Sequence, residues 1–203
     1  FDISVNQIIC SSYAKAKNYE ENLSSHENIS FIDIGFNKTS IIIYTNNKII
    51  CLNVLPIGGN HITKDISKVL KIDLEQAEDI KINFDKKEIF LHDKNFSLEL
   101  LQKIIFARTK EILKMCIQSI KLNPIIGSHF KVVLMGEGSK ILNNQFKDKI
   151  FNTHDLDLLD EKIEDVCRAG FILGMGLNRQ EVTVVPKKSI KHGFFEKFFH
   201  FFE

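Results

Sequence analysis

The sequence predicts an α/β or α+β fold, and three features predict it. Two apolar strands flank Asn46-Asn47, the chemistry of a tight hairpin turn. A long stretch of 3.6-residue periodicity follows, from Leu98 to Ile120. A short buried strand, Val132 to Met135, then runs into Gly136-Glu137-Gly138-Ser139 and a further helix. The segment of about residues 64 to 130 reads as a helical insertion between the hairpin and that late strand.

In chain order, Phe1 to Cys10 alternates apolar and polar residues, which predicts a short strand entering a helix near Ser11 to Tyr19. The chain opens on Phe1 and goes straight into this strand, so residues upstream are expected. Glu20 to Asn28 is polar and reads as a loop. Ile29 to Ile34, Ser40 to Thr45 and Lys48 to Leu55 are the strands of a hairpin unit, broken by Pro56 and Gly58-Gly59. Asn60 or Thr63 is expected to cap a helix running to about Leu70, and Asp73 a second one, Leu74 to about Ile82. Ile89 to Leu91 reads as a short strand. Leu98, Leu101, Ile105, Ile112, Met115 and Ile120 carry the sustained helical periodicity of the longest helix. Pro124 to Ser128 is a loop, and Ser139 or Lys140 is expected to start a short helix. Ile163 to Leu177 is the last helix before a linker, Asn178 to Ile190.

Composition narrows the function classes. At 203 residues the chain is long enough for one sizeable core or two small lobes. A formal net charge of +1 gives no support to a nucleic-acid partner. The cysteines Cys10, Cys51, Cys116 and Cys167 lie far apart and form no C-x-x-C pair, so the sequence indicates neither a zinc site nor a disulfide framework. The seven histidines show no metal-ligand spacing.

The last thirteen residues, Lys191 to Glu203, are one-sided. At helical pitch Phe194, Phe195, Phe198, Phe199, Phe201 and Phe202 fall within an arc of roughly 160°, while Glu196, Lys197, His200 and Glu203 take the other side. Such a helix lies in the plane of a membrane surface with its apolar face among acyl chains. It is too short and polar to span a bilayer, which takes about 20 apolar residues. Lys187, Lys188, Lys191 and Lys197 add attraction to anionic lipid. A helix docked on the protein's own core or on a partner is the other reading of the same face.

Two turns are candidates for anion chemistry. Asp33-Ile34-Gly35, with Thr39 four residues beyond, ends a buried strand, where a carboxylate can hold hydrated Mg²⁺ and a glycine lets backbone amides approach phosphate. Gly136-Glu137-Gly138-Ser139 opens a helix, whose N-terminus favours anions. Neither a P-loop nor a G-x-G-x-x-G fingerprint is present. Glu78 and Lys81 lie three apart, within reach of one another on one helical face.

These pieces together resemble the actin-like ATPase superfamily, and within it the C-terminal part of the FtsA family of bacterial cell-division proteins. Phe31-Ile32-Asp33-Ile34-Gly35 followed by Thr39 resembles that superfamily's second phosphate motif. Leu55-Pro56-Ile57-Gly58-Gly59-Asn60-His61-Ile62-Thr63-Lys64-Asp65-Ile66 is similar to a Gly-Gly-Asn-His-Ile-Thr segment of the family and is the most specific match. Ala77-Glu78-Asp79-Ile80-Lys81 resembles the stretch that sets Glu and Lys beside ribose and adenine. Val132 to Ser139 resembles the adenosine motif, Ala169 to Gly174 the closing helix, and the Phe-rich tail the membrane-targeting sequence. Two departures stand out: Phe36-Asn37-Lys38 where the family has Gly-Gly-Thr, and Glu137 where it usually has Gly.

The resemblance implies an actin-like, ribonuclease H-like second lobe. Subdomain 2A comprises residues 1–63 and 131–177, an inserted 2B residues 64–130, followed by linker 178–190 and a membrane-targeting amphipathic helix at 191–203. It implies ATP and Mg²⁺ as ligands, with Asp33, Gly35, Thr39, Glu78, Lys81, Gly136, Gly138 and Ser139 around the nucleotide and Asp33 toward the metal. It implies at most a weak ATPase, and no residue is assigned a catalytic role. The implied role is to tether FtsZ filaments to the inner face of the cytoplasmic membrane at the division septum, with self-association into filaments and contacts to other divisome proteins. Arg108, in Ile105-Phe106-Ala107-Arg108-Thr109-Lys110, is where the family has an arginine near the FtsZ C-terminal peptide. A nucleotide-dependent enzyme or chaperone of the superfamily is one alternative, against which the Phe-rich helix and the Gly-Gly-Asn-His-Ile-Thr match argue; an actin-like pilus-assembly scaffold, similar in fold but without a targeting helix, is another.

Overall fold

A computed structural model describes residues 8–20, 28–46, 48–84, 97–124, 130–142, 156–159 and 161–175. The expected strand before Cys10, the strand at Ile89 to Leu91, the linker and the Phe-rich tail lie wholly or largely outside them.

Three strands form as the hairpin pattern predicts: β1 (Asn28–Ile34), β2 (Thr39–Thr45) and β3 (Lys48–Leu55). All pair antiparallel, and Asn46 takes the positive φ of 51° that lets Thr45 lie opposite Lys48. A register shift at Ile43/Tyr44 bends β3, the edge strand. After the helices comes β4 (Lys131–Met135), parallel to β1, and β5 (Leu156–Leu158), parallel to β4. The sheet order is β3-β2-β1-β4-β5. The sequence reading missed β5, which is only three residues long.

Strand β1 is buried along almost its whole length, because helices cover both faces of the sheet. On one face α2 (Gly59–Leu70), α3 (Leu74–Ile82) and α4 (Leu98–Lys121) bury Ile62, Ile66, Ile80, Leu101, Ile105 and Ile112 against Ile32, Ile34, Ile41, Ile43 and Val132. Each such side chain contributes about 1.5–3 kcal/mol through burial. On the other face α1 (Ser11–Glu20) lays Ala16 against Phe31, Tyr44 and Met135. The last helix among the described residues, α5 (Ile163–Gly174), packs Ala169 and Leu173 on Ala14 of α1.

Asp73 caps α3 as expected, its carboxylate accepting the Gln76 amide at 2.7 Å. Three helix ends differ from the sequence reading. Gly58, rather than Asn60 or Thr63, precedes α2, because the Gly59 and Asn60 amides are taken by the Gly35 and Phe36 carbonyls at 2.9 and 2.7 Å. The short helix after β4 is a 3₁₀ turn beginning at Glu137, and α5 ends at Gly174 rather than Leu177. The boundary expected at residue 63 falls inside α2, whose two halves share one apolar cluster with the sheet.

Candidate nucleotide cleft

The turns at the C-terminal ends of β1 and β4 face the start of α2 and the end of α3 across a cavity of about 390 Å³. Gly35, Gly59 and Gly138 line it with bare backbone, Glu78 and Lys81 supply charge, and Ile62, Ile82, Phe84 and Ile141 supply apolar wall. Motifs scattered over a hundred residues of sequence thus meet at one mouth, on the carboxyl side of the sheet where open α/β folds bind ligands.

Glu78 and Lys81 are far more than a solvated pair. The Lys81 ammonium donates to Glu78 Oε2 at 2.7 Å, to Thr63 Oγ1 at 2.9 Å and to the Gly59 carbonyl at 3.3 Å. Thr63 in turn donates to Glu78. Lys81 also lies 5.6 Å from the centre of the Phe36 ring. The polar corner is therefore rigid before any ligand arrives. Both departures from the family pattern are accommodated. Phe36 stands at the rim, 54% exposed, and Glu137 is paired with Lys140 at 2.8 Å. Asn37 accepts from the Asn60 amide side chain at 2.9 Å, stitching the altered turn to α2.

Four of the eight expected nucleotide residues line the cavity: Gly35, Glu78, Lys81 and Gly138. The other four do not, and instead brace its walls. Thr39 is fully buried and donates to the Ile57 carbonyl at 2.7 Å. Ser139, also buried, donates to the Gly136 carbonyl at 2.6 Å. Gly136 has φ +88°, and a Cβ there would meet Asp33 Oδ1 and the Ile34 carbonyl inside 3 Å.

Asp33, the expected Mg²⁺ ligand, is ion-paired instead. Lys15 of α1 reaches Asp33 Oδ1 at 2.9 Å and Glu161 Oε2 at 3.0 Å, with all three side chains at most about a tenth exposed. Glu161 Oε2 also accepts the Gly136 amide at 2.8 Å. Burial works against the Lys15 ammonium, but the two carboxylates outweigh it, and its pKa lies above the usual 10.5. Among the described residues, no three His, Cys, Asp or Glu side chains come together as a metal site. The cleft fits the nucleoside end of a nucleotide, with apolar walls and a fixed Glu–Lys corner. The donor set at Asp33 does not fit Mg²⁺, because an internal cation already holds it.

Arg108 also has an internal role. Its Nε and Nη2 donate to Asp65 at 2.6 and 3.0 Å, and Nη1 to Glu111 at 2.7 Å, locking α4 to α2. The fork expected to meet a partner is filled from within. The membrane-facing candidates Phe194, Phe195, Lys197, Phe198, Phe199, Phe201 and Phe202 lie outside the described residues. None of the helices among the described residues is long and apolar enough to cross a membrane.

Comparison with known proteins decides the family. The model of the family described as cell division protein FtsA matches residues 30–144, more than half of the chain. The chain belongs to the FtsA family. The FtsA of Buchnera aphidicola is 27% identical over 98% of this chain and 55% of its own length. That of Streptococcus pneumoniae is 29% identical over 69% and 34%. The chain thus spans about half the length, or less, of the FtsA relatives it matches. Among solved structures, MreB5 of Spiroplasma citri bound to ADP superposes with a TM-score of 0.66 at 16% identity, over 87% of this chain and 62% of that one. The PilM–PilN type IV pilus biogenesis complex gives 0.59 at 20% identity, over 85% and 52%, and the archaeal actin homolog Ta0583 0.57 at 14%, over 80% and 54%. The fold is actin-like. The FtsA match contains every cavity-lining residue named above.

Proposed function

We propose that this chain is the second lobe and membrane anchor of a cell-division protein that tethers FtsZ filaments to the inner face of the cytoplasmic membrane at the septum. In this reading residues 1–63 and 131–177 form subdomain 2A and residues 64–130 form 2B, and the protein assembles as an actin-like polymer with other divisome proteins around it. The observation that carries the reading is the FtsA match over residues 30–144, which includes every residue lining the cavity. The cleft takes the nucleoside part of ATP: Glu78 and Lys81 orient it, and Gly35, Gly59 and Gly138 let backbone approach. When bound, ATP supplies a phosphate tail that pairs with the facing lobe in a longer protein. Arg108 supports the FtsZ docking face by fixing α4 on α2.

Attachment rests on residues 191–203. The decisive experiment is vesicle co-sedimentation on anionic liposomes with the chain, Phe198→Glu and Phe199→Glu. Each charge would have to enter the acyl region, so both variants are expected to stay in solution while the parent sediments. Equal sedimentation of all three would overturn the membrane reading and leave a docked or partner-binding helix.

A further inference from the structure

We propose that Lys15 is a resident cation: its ammonium takes the seat between Asp33 and Glu161 that a divalent metal would otherwise fill. The inference goes beyond the nucleotide reading and does not depend on it, since it concerns metal occupancy alone.

The seat is built from three parts of the chain. Asp33 lies next to last in β1, Glu161 stands just before α5, and Lys15 enters from the middle of α1. The two carboxylates are separated by 146 and 18 residues from the lysine, so only the packing of α1 between them creates the contact. The Nζ distances of 2.9 and 3.0 Å are those of charge-assisted N–H···O bonds. A Mg²⁺ ion at the same point would need both oxygens at roughly 2.0–2.1 Å and near-octahedral company. The ammonium sets the wider spacing, and neighbouring backbone orients the carboxylates around it. Glu161 is pinned by the Gly136 amide, and Gly136 itself packs so closely on Asp33 that no side chain fits between them. Glu161 Oε1 is buried and makes no hydrogen bond among the described residues. Removing the lysine would therefore leave Asp33 Oδ1 and Glu161 Oε2 at the vacated point, with the unbonded Oε1 on the same Glu161 carboxylate, hard oxygens of the kind a divalent ion takes.

Manganese(II), followed by its paramagnetic resonance signal, is the probe, titrated into the chain, Asp33→Asn, Glu161→Gln and Lys15→Met. The parent and both carboxylate variants are expected to bind Mn²⁺ equally weakly. Lys15→Met is expected to bind it at least tenfold more tightly than the parent and to gain thermal stability when it is added, as the parent does not. A Mn²⁺ site in the parent that Asp33→Asn or Glu161→Gln abolishes would overturn the proposal. So would a folded Lys15→Met with no gain in affinity. If Lys15→Met does not fold, the parent and its carboxylate variants decide the matter.

Discussion

Arg108 and Cys116 illustrate how context assigns a side chain its role. By resemblance the sequence offers Arg108 as a partner-facing arginine, and nothing local reveals that Asp65, 43 residues away, fills its fork. Because Asp65 and Glu111 both face it, Arg108→Glu would set three carboxylates together. We expect a loss of about 1–2 kcal/mol, a partly exposed pair being worth about 1 kcal/mol and the added repulsion as much again. Urea unfolding followed by circular dichroism measures it, and Arg108→Lys should lose less. Cys116, buried in the face of α4 against the sheet, has its thiol pushed up to about 12 by burial, from an ordinary value of 9.0. The native state therefore holds this proton more tightly than the unfolded chain. Its contribution to stability is complete below pH 9 and declines by about 1.4 kcal/mol per pH unit as pH rises toward 12. Stability measured at pH 8.5, 9.5 and 10.5 should fall more steeply for the parent than for Cys116→Ala. At this scale the sequence exposed the Glu78–Lys81 pair, because its partners are three apart, and hid the Lys15 cluster, because its partners are not.

Elements were legible where their signals were local. The hairpin strands followed from alternation and Asn46-Asn47, and α3 from its Asp73 cap. The start of α2 was not legible. It is set by carbonyls of the β1–β2 turn, which accept the first two amides of the helix. His61 Nδ1 accepts the Gly58 amide at 3.2 Å and finishes the cap. This makes Gly58 the tightest point between turn and helix. Its own φ of −164° is open to any residue, yet a Cβ there would lie inside 3 Å of the Gly35 and Phe36 carbonyls and the Lys38 amide. Gly58→Ala must therefore push α2 off the turn. We expect a cost of about 1–3 kcal/mol, as for other overpacked sites, visible as a lowered melting temperature. Gly170→Ala, with open space around it, should leave the melting temperature unchanged or higher. Strand β5 is illegible in the sequence because Leu156-Asp157-Leu158 is too short a run to show alternation; β4 beside it makes it a strand.

For the whole molecule, the expected actin-like class holds, and the cleft joins motifs that the sequence presented far apart. In the proposed reading, this chain would supply the nucleoside end of a nucleotide site. With the phosphate–metal end filled by Lys15, calorimetry of this chain with ATP and Mg²⁺ should show nothing tighter than about millimolar, or about −4 kcal/mol. A micromolar affinity would mean that the cleft alone suffices. The sheet order carries one more consequence, for how the chain reaches this state. Strand β1 lies between a neighbour supplied within a few residues and another, β4, supplied about a hundred residues later, and closing so long a loop is entropically slow. During synthesis β1 to β3 emerge as a meander with one flank of β1, Ile29 to Asp33, still unpaired. The segment that carries α2 to α4 must be synthesised before β4 can seal that flank. A nascent chain paused between residue 60 and residue 130 thus offers an apolar strand edge to any other strand nearby, which makes this interval the one in which chaperone cover counts most.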